Sequence, residues 1–282
     1  MSTWTIARLT FREASRRKIL LAALVLGVAF VVIFGVGFHF ITQEIRNSNR
    51  STTQLEFNEG SNFLSLAGLY VVNFLTAMMA VLTSVDTLSG EIASGTVHTL
   101  VAKPIHRWEI VTGKWIGFAG MLTLYQVLMA GGVMAAVYVQ SGYLPPNPAG
   151  ALALLWLNAL LLLTVSLLGG SILSTLANGV LVFGLFGIAF IGGWIEQIGT
   201  FLNNPGASQT AVNIGIITSL LLPSESLWRR AAYEMQSPLI AAVGVSPFSS
   251  TSVPSVAMIA YAVLYLAAAF FIAVRMFNKR DL

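Results

Sequence analysis

From Trp115 to Ile195 the chain contains no Asp, Glu, Lys or Arg. An uncharged run of 81 residues cannot form the surface of a water-soluble domain. It is long enough for three bilayer crossings of about 20 residues each, with short joints. Further apolar stretches precede and follow it, so crossings are expected at about 19–41, 62–86, 114–139, 149–175, 178–197 and 255–276. Composition agrees: 9% of residues are charged and 56% hydrophobic, whereas soluble domains carry about 25% charged residues. Lipid leaves backbone amides without partners, which restricts spanning segments to helices or a closed barrel. These segments are too long and too uniformly apolar for barrel strands. The expected fold is an all-α polytopic membrane protein with six transmembrane helices in a single domain over 19–282. An even number of crossings puts both termini on one side.

Charge names that side. Arg8, Arg12, Arg16, Arg17 and Lys18 precede the first span, and Lys103, Arg107 and Lys114 lie between the second and third. Arg275, Lys279 and Arg280 close the chain, while the other side holds only Arg46, Arg50, Arg229 and Arg230. By the positive-inside rule both termini are cytoplasmic. The sequence pI of about 9.6 thus reflects membrane topology. Nucleic acid is not an expected partner, because the basic residues sit beside the spans, where membrane lipid is.

Residues 1–18 read as an amphipathic interfacial helix. Trp4, Ala7, Phe11 and Ala14 share one helical stripe and the arginines lie off it, a pattern suited to the cytoplasmic leaflet; a partly disordered basic tail is the alternative. The apolar segment that follows is of span length without a small-residue cleavage pattern, so it is expected to be retained.

Catalytic and metal chemistry find little support. The chain has no Cys, and its histidines, His39, His98 and His106, have no carboxylate at metal-ligand spacing. Gly113-Lys114 lacks the upstream glycine and the following Ser or Thr of a phosphate-binding loop. Ser166, Ser171 and Ser174 stand in apolar helices without a base and are expected to bond to backbone or neighbouring helices. Asp86 and Glu196 fall at span ends, where boundary solvation is the expected role for both.

Residues 199–254 form an outer segment too long for a turn. Ala211 to Leu222 is apolar but short for a crossing, and Pro223 stops it. A second helical pattern begins at Ser224 and contains Leu227, Trp228, Ala231, Ala232 and Met235. Two short helices on or in the outer leaflet would preserve the count of six. The alternative is a tilted crossing that carries Arg229 and Arg230 inside.

The cytoplasmic connection 87–113 is the most furnished loop. Ser94-Gly95-Thr96 can bend or cap a short helix, Lys103-Pro104 ends it, and Arg107 to Val111 starts the next span. By themselves these residues allow two uses: docking another protein, or bracing the ends of spans two and three. The stretch Asp86 to Lys114, DTLSGEIASGTVHTLVAKPIHRWEIVTGK, resembles the signature region of ABC-2-type transporter permeases, the membrane subunits of ABC exporters with separately encoded ATPases. The likeness extends to the basic amphipathic start, the six spans, the long outer segment and the ending Phe277-Asn278-Lys279-Arg280-Asp281-Leu282.

The resemblance implies that Glu91, Gly95 and Thr96 shape a coupling helix entering a cleft of a nucleotide-binding subunit. Pro104, Arg107 and Glu109 would form the return, and Gly113 and Lys114 would stand where the third span begins. It further implies a non-catalytic permease in a prokaryotic plasma membrane. ATP and Mg would be held by partner ABC ATPase subunits, and a second copy or a related permease would complete the transporter. An accessory protein could meet the outer face. The alternatives are a membrane scaffold that recruits a different cytoplasmic protein and a secondary transporter; the latter lacks a central acidic relay in any span.

Overall fold

The computed structural model describes residues 3–47, 53–94, 106–200, 205–237 and 253–279. All regular structure among them is helical: α1 (Thr3–Ala14), α2 (Lys18–Asn47), α3 (Gln54–Ser84), α4 (Ser89–Ala93), α5 (Arg107–Ser141), α6 (Pro148–Ile172), α7 (Thr175–Thr200), α8 (Pro205–Leu221), α9 (Ser224–Met235) and α10 (Val256–Lys279). Six of these, α2, α3, α5, α6, α7 and α10, are long and apolar enough to cross a membrane. The fold is therefore all-α and polytopic.

Local chemistry sets several helix ends. The Glu56 amide donates to Thr53 Oγ1 at 3.3 Å and the Thr53 amide to Glu56 Oε2 at 3.0 Å, a reciprocal capping box that starts α3. Asn147 caps α6, and Pro148 follows at the first helical position, where its missing N–H costs nothing.

The centre of the bundle is α3 and α6. In their most apolar stretches 61% and 67% of residues are buried, against 6% in α2 and 17% in α10. The apolar side chains that α2 and α10 leave open, Ile33 and Leu264 among them, are of the kind a bilayer covers. Within the centre, Asn158 Nδ2 donates to Asn73 Oδ1 at 3.0 Å, joining α6 to α3. Trp115 Nε1 donates to Thr164 Oγ1 at 2.8 Å, joining α5 to α6. Such bonds hold helices together where lipid gives no hydrophobic drive for association.

The helix ends define two faces. The terminal face carries α1 and the end of α10. The distal face carries the start of α3, where Asn62 Nδ2 donates to Tyr143 Oη at 2.7 Å and to the Met235 carbonyl at 2.8 Å.

Helix α1 lies against the first turns of α5. A Cβ on Gly113 would come within 2.6 Å of Ile6 Cβ, and one on Gly117 within 2.7 Å of the Ala7 carbonyl. Only glycine at these two positions permits so close an approach. The buried stripe of α1 is Ile6, Ala7, Thr10 and Ala14. Of the stripe Trp4, Ala7, Phe11 and Ala14, the two alanines belong to this packed face and Phe11 packs partly against the core, while Trp4 is 72% exposed.

On the distal face α8 and α9 form a hairpin with a bend of 109°. A Cβ on Gly199 would meet Ala211 Cβ, and one on Gly192 would meet Thr218 Oγ1, so α8 runs back along α7 toward the membrane interior. Pro223 turns the chain. Helix α9 then returns, because the Met235 carbonyl reaches Asn62 and Glu234 reaches Asn147 at 2.9 Å. Both ends of the hairpin thus lie on the distal face: the segment is re-entrant, and Arg229 and Arg230 stay on that side.

Candidate functional site

The connection between α3 and α5 begins at a cluster on the terminal face. Helix α3 ends in a turn at 85–88, and the five-residue α4 follows. Glu91, in the first turn of α4, forms an ion pair with Lys114, which lies 23 positions further on in α5. The Lys114 side chain is only 6% exposed and that of Glu91 21%. A buried ammonium needs such a partner, because desolvation without one costs several kcal/mol, on the order of the net stability of a small domain.

Asp86 forms a second node. Arg17 Nη1 stands 3.9 Å from its Oδ2, and Thr175 Oγ1 donates to its Oδ1 at 3.2 Å. Arg17 also pairs with Glu13 at 2.9 Å, and the hydroxyls of Ser89 and Thr175 are 2.8 Å apart. Half-exposed Asp86 therefore gathers the α1–α2 joint, the root of α4 and the start of α7.

Arg107 opens α5, and its Nη1 donates to the Asn278 carbonyl at 3.3 Å, tying the return of the connection to the end of α10. Glu109 sits in the first turn of the same helix, where a carboxylate favours the positive end of the helix dipole. Gly113 is buried beneath Ile6.

The structure thus joins Glu91 to Lys114 and places Arg107, Glu109 and Gly113 on the first two turns of α5. Gly95, Thr96 and Pro104 lie outside the described residues, as does His98. Sequence reasoning did not connect Arg17, Thr175 or Asn278 to this cluster. Thr175 carried a weak signal, being a capping residue type at the start of a span.

The distal hairpin holds a different cluster. Glu196 Oε1 and Arg229 Nη1 are 2.6 Å apart, and both residues are almost fully buried. Boundary solvation of Glu196 is therefore overturned: the hairpin folds over α7 and takes the carboxylate out of solvent. Room comes from α8, since a Cβ on Gly215 would collide with Glu196 Oε2. Glu225, one turn before Arg229 on the same face of α9, fits against Gly193 near Tyr70 and Trp228, whose rings are 4.9 Å apart. At the outer end of α9, outside the spanning helices, the hydrogen bond from Asn147 holds the Glu234 carboxyl below the usual carboxylate range, and Arg230 acts in the same direction. No group of three or more His, Asp or Glu that could hold a metal occurs among the described residues.

Six apolar helices, a re-entrant hairpin on one face and a connection with braced roots on the other define a polytopic membrane protein. The sequence matches the family described as ABC-2 family transporter protein over residues 4–282, and the chain belongs to that family. It is accordingly a permease subunit of an ABC transporter. A search of curated proteins returned no significant match.

Proposed function

We propose that this chain is the permease of an exporter or force-transmitting complex, driven by a separate ABC ATPase that docks on the terminal face. That face is cytoplasmic in this reading, consistent with the eleven basic residues beside it and the four on the other side. Connection 87–113 is the docking element. Glu91 and Lys114 fix its two roots to each other, Arg107 ties the return to α10, and Gly95, Thr96, Pro104, Glu109 and Gly113 shape the remainder. ATP and Mg belong to the partner. Two copies of the chain, or one with a related permease, assemble in a prokaryotic plasma membrane around the transport route.

The observation that carries the reading is the bracing of the loop roots. A displacement of the connection must move α5 through Lys114, α1 through the Gly113–Gly117 groove and α10 through Arg107. Work applied at one loop is thereby spread over the bundle instead of being absorbed by a flexible joint. Closure of two ATPases would change the separation of the two loops and, through these ties, the separation of the bundles.

Affinity purification of the full-length chain with its ATPase tests this. A P-loop ATPase should co-purify in stoichiometric amount, and Gly95→Trp or Arg107→Glu should reduce its recovery several-fold while the permease stays folded. Undiminished recovery with both variants would overturn the docking assignment.

A further inference from the structure

The deep end of the re-entrant hairpin holds a third ionisable group beside Glu196 and Arg229. Glu225 is only partly exposed and borders a recess of about 20 Å³ together with Tyr70, Trp194, Gln197 and Trp228. That volume takes about one water molecule. Tyr70 stands eight positions along α3 from Asn62 of the distal face, about 12 Å further into the bundle. Trp194 Nε1 already donates to the Tyr70 hydroxyl at 2.7 Å, so the indole N–H is used. Beneath Glu225 lies bare backbone, since a Cβ on Gly193 would collide with its Cγ.

The charges in this compartment do not balance. Helix α9 packs against α3, α6, α7, α8 and α10. Helices α6 and α8 carry no ionisable side chain, and α7 carries only Glu196. Helix α3 offers Tyr70; its carboxylates, Glu56 and Glu59, lie at least eleven positions nearer the distal end, about 16 Å away along the helix. Helix α10 contributes Tyr261 and Tyr265, with Arg275 and Lys279 at its other end. On α9 itself Arg230 pairs with Glu234. The segments 201–204 and 238–252 contain no charged residue. Two carboxylates therefore share one guanidinium. Arg229 Nη1 is 2.6 Å from Glu196 Oε1, and Glu225 forms no ion pair among the described residues. An ionised carboxylate with one water and no contacting cation is costly, and a single added proton brings the cluster to zero charge.

We propose that Glu225 is a proton-binding residue whose proton commits Arg229 to Glu196 and so keeps the hairpin fastened to α7. Glu225 stands four positions before Arg229, within side-chain reach on the same helix face. Neutral Glu225 exerts no pull on the guanidinium, which stays across the gap on α7. Ionised Glu225 competes for it and turns an interhelical pair into one within α9. The fastening is thus closed while the proton is held and loosens as the proton leaves. The site does not depend on the ATPase assignment, because it involves only the distal half of the bundle.

Infrared difference spectroscopy of the full-length protein in nanodiscs tests the proposal. Between about pH 6 and about pH 10, above the range of ordinary carboxylates, the wild type should lose one protonated-carboxyl C=O band. Glu225→Gln should lack that band throughout. Glu196→Gln frees Arg229 for Glu225, so the band should be absent already at the lower pH; a packing role for Glu225 alone would leave it there. Sodium added at fixed pH should not remove the band. The unfolding midpoint gives a second readout with a definite sign. The fold keeps a proton that the unfolded chain releases above about pH 4, so wild-type stability should fall as pH rises from there, and that of Glu225→Gln should fall less. Absence of the band from the wild type at the lower pH, its survival in Glu225→Gln or Glu196→Gln, or its loss on adding sodium would each overturn the site. Failure of Glu225→Gln to fold would do the same, because glutamine has the shape and charge of the neutral acid.

Discussion

The two faces of the molecule each carry a buried carboxylate–cation pair, and the two pairs are built for different work. On the terminal face Glu91 and Lys114 join a five-residue helix to a span; Glu91 keeps one-fifth of its side chain exposed. On the distal face Glu196 and Arg229 join two helices that are already in contact, and their side chains are 4% and 8% exposed. A pair with one partly exposed member can be broken at lower cost than one with two buried members, because water compensates the freed carboxylate while only the cation is left buried. A pair with both members almost fully buried acts as a fixed bolt. In this account the terminal face is the part that moves, and the distal hairpin is the fixed reference against which it moves.

The largest expected effect lies at the bolt. Arg229→Ala leaves a buried carboxylate without its partner and should destabilise the protein by about 3–5 kcal/mol, read as a lowered unfolding midpoint in detergent. The double variant Glu196→Gln with Arg229→Gln removes both charges and should lose less than the single change. Equal losses would show that the pair is not buried as a unit.

Lys114→Ala should cost less, about 1–3 kcal/mol, because Glu91 can recover water. Its mechanical effect should be the larger one: ATP hydrolysis by the assembled complex continues while transport falls. A stability loss matching that of Arg229→Ala would erase the contrast between the two faces. Gly117→Leu should cost about 1–2 kcal/mol through overpacking. It should also push α1 off α5, seen as a longer spin-label distance between the two helices; an unchanged distance would mean that α1 is not seated in the groove.

The smallest effect concerns pH. The carboxyl of Glu234 is depressed in the folded protein, so its contribution is present above the ordinary carboxylate value near pH 4 and lost as pH falls through the lower folded value. Glu234→Gln should therefore lower stability slightly at neutral pH and flatten its decline in acid. A parallel shift at all pH values would remove Glu234 from the distal network.

The spans were legible because lipid imposes one simple requirement: about 20 apolar residues in a helix. The uncharged run from Trp115 met it without ambiguity. Pro223 and the pattern from Ser224 likewise marked two short helices. What sequence could not supply was the partner of each charged residue. Glu196 and Arg229 are 33 positions apart, and they meet only because the chain bends by 109° at Pro223, an angle that no local pattern encodes. Glu91 and Lys114 meet across a loop whose course is equally unwritten in its composition. Helix α1 shows the same limit: its amphipathic period was visible, but the face that packs was decided by Gly113 and Gly117, more than a hundred positions away.

The central claim is that an ABC ATPase engages the connection between α3 and α5 from the terminal face. A photocrosslinking residue placed at Val97, within that connection, and another at Val212, on the distal hairpin, would be compared in intact cells with products identified by mass spectrometry. The account predicts a product with a P-loop ATPase from position 97 and none from position 212. An ATPase product from position 212, or products from 97 containing only proteins without a nucleotide site, would contradict it.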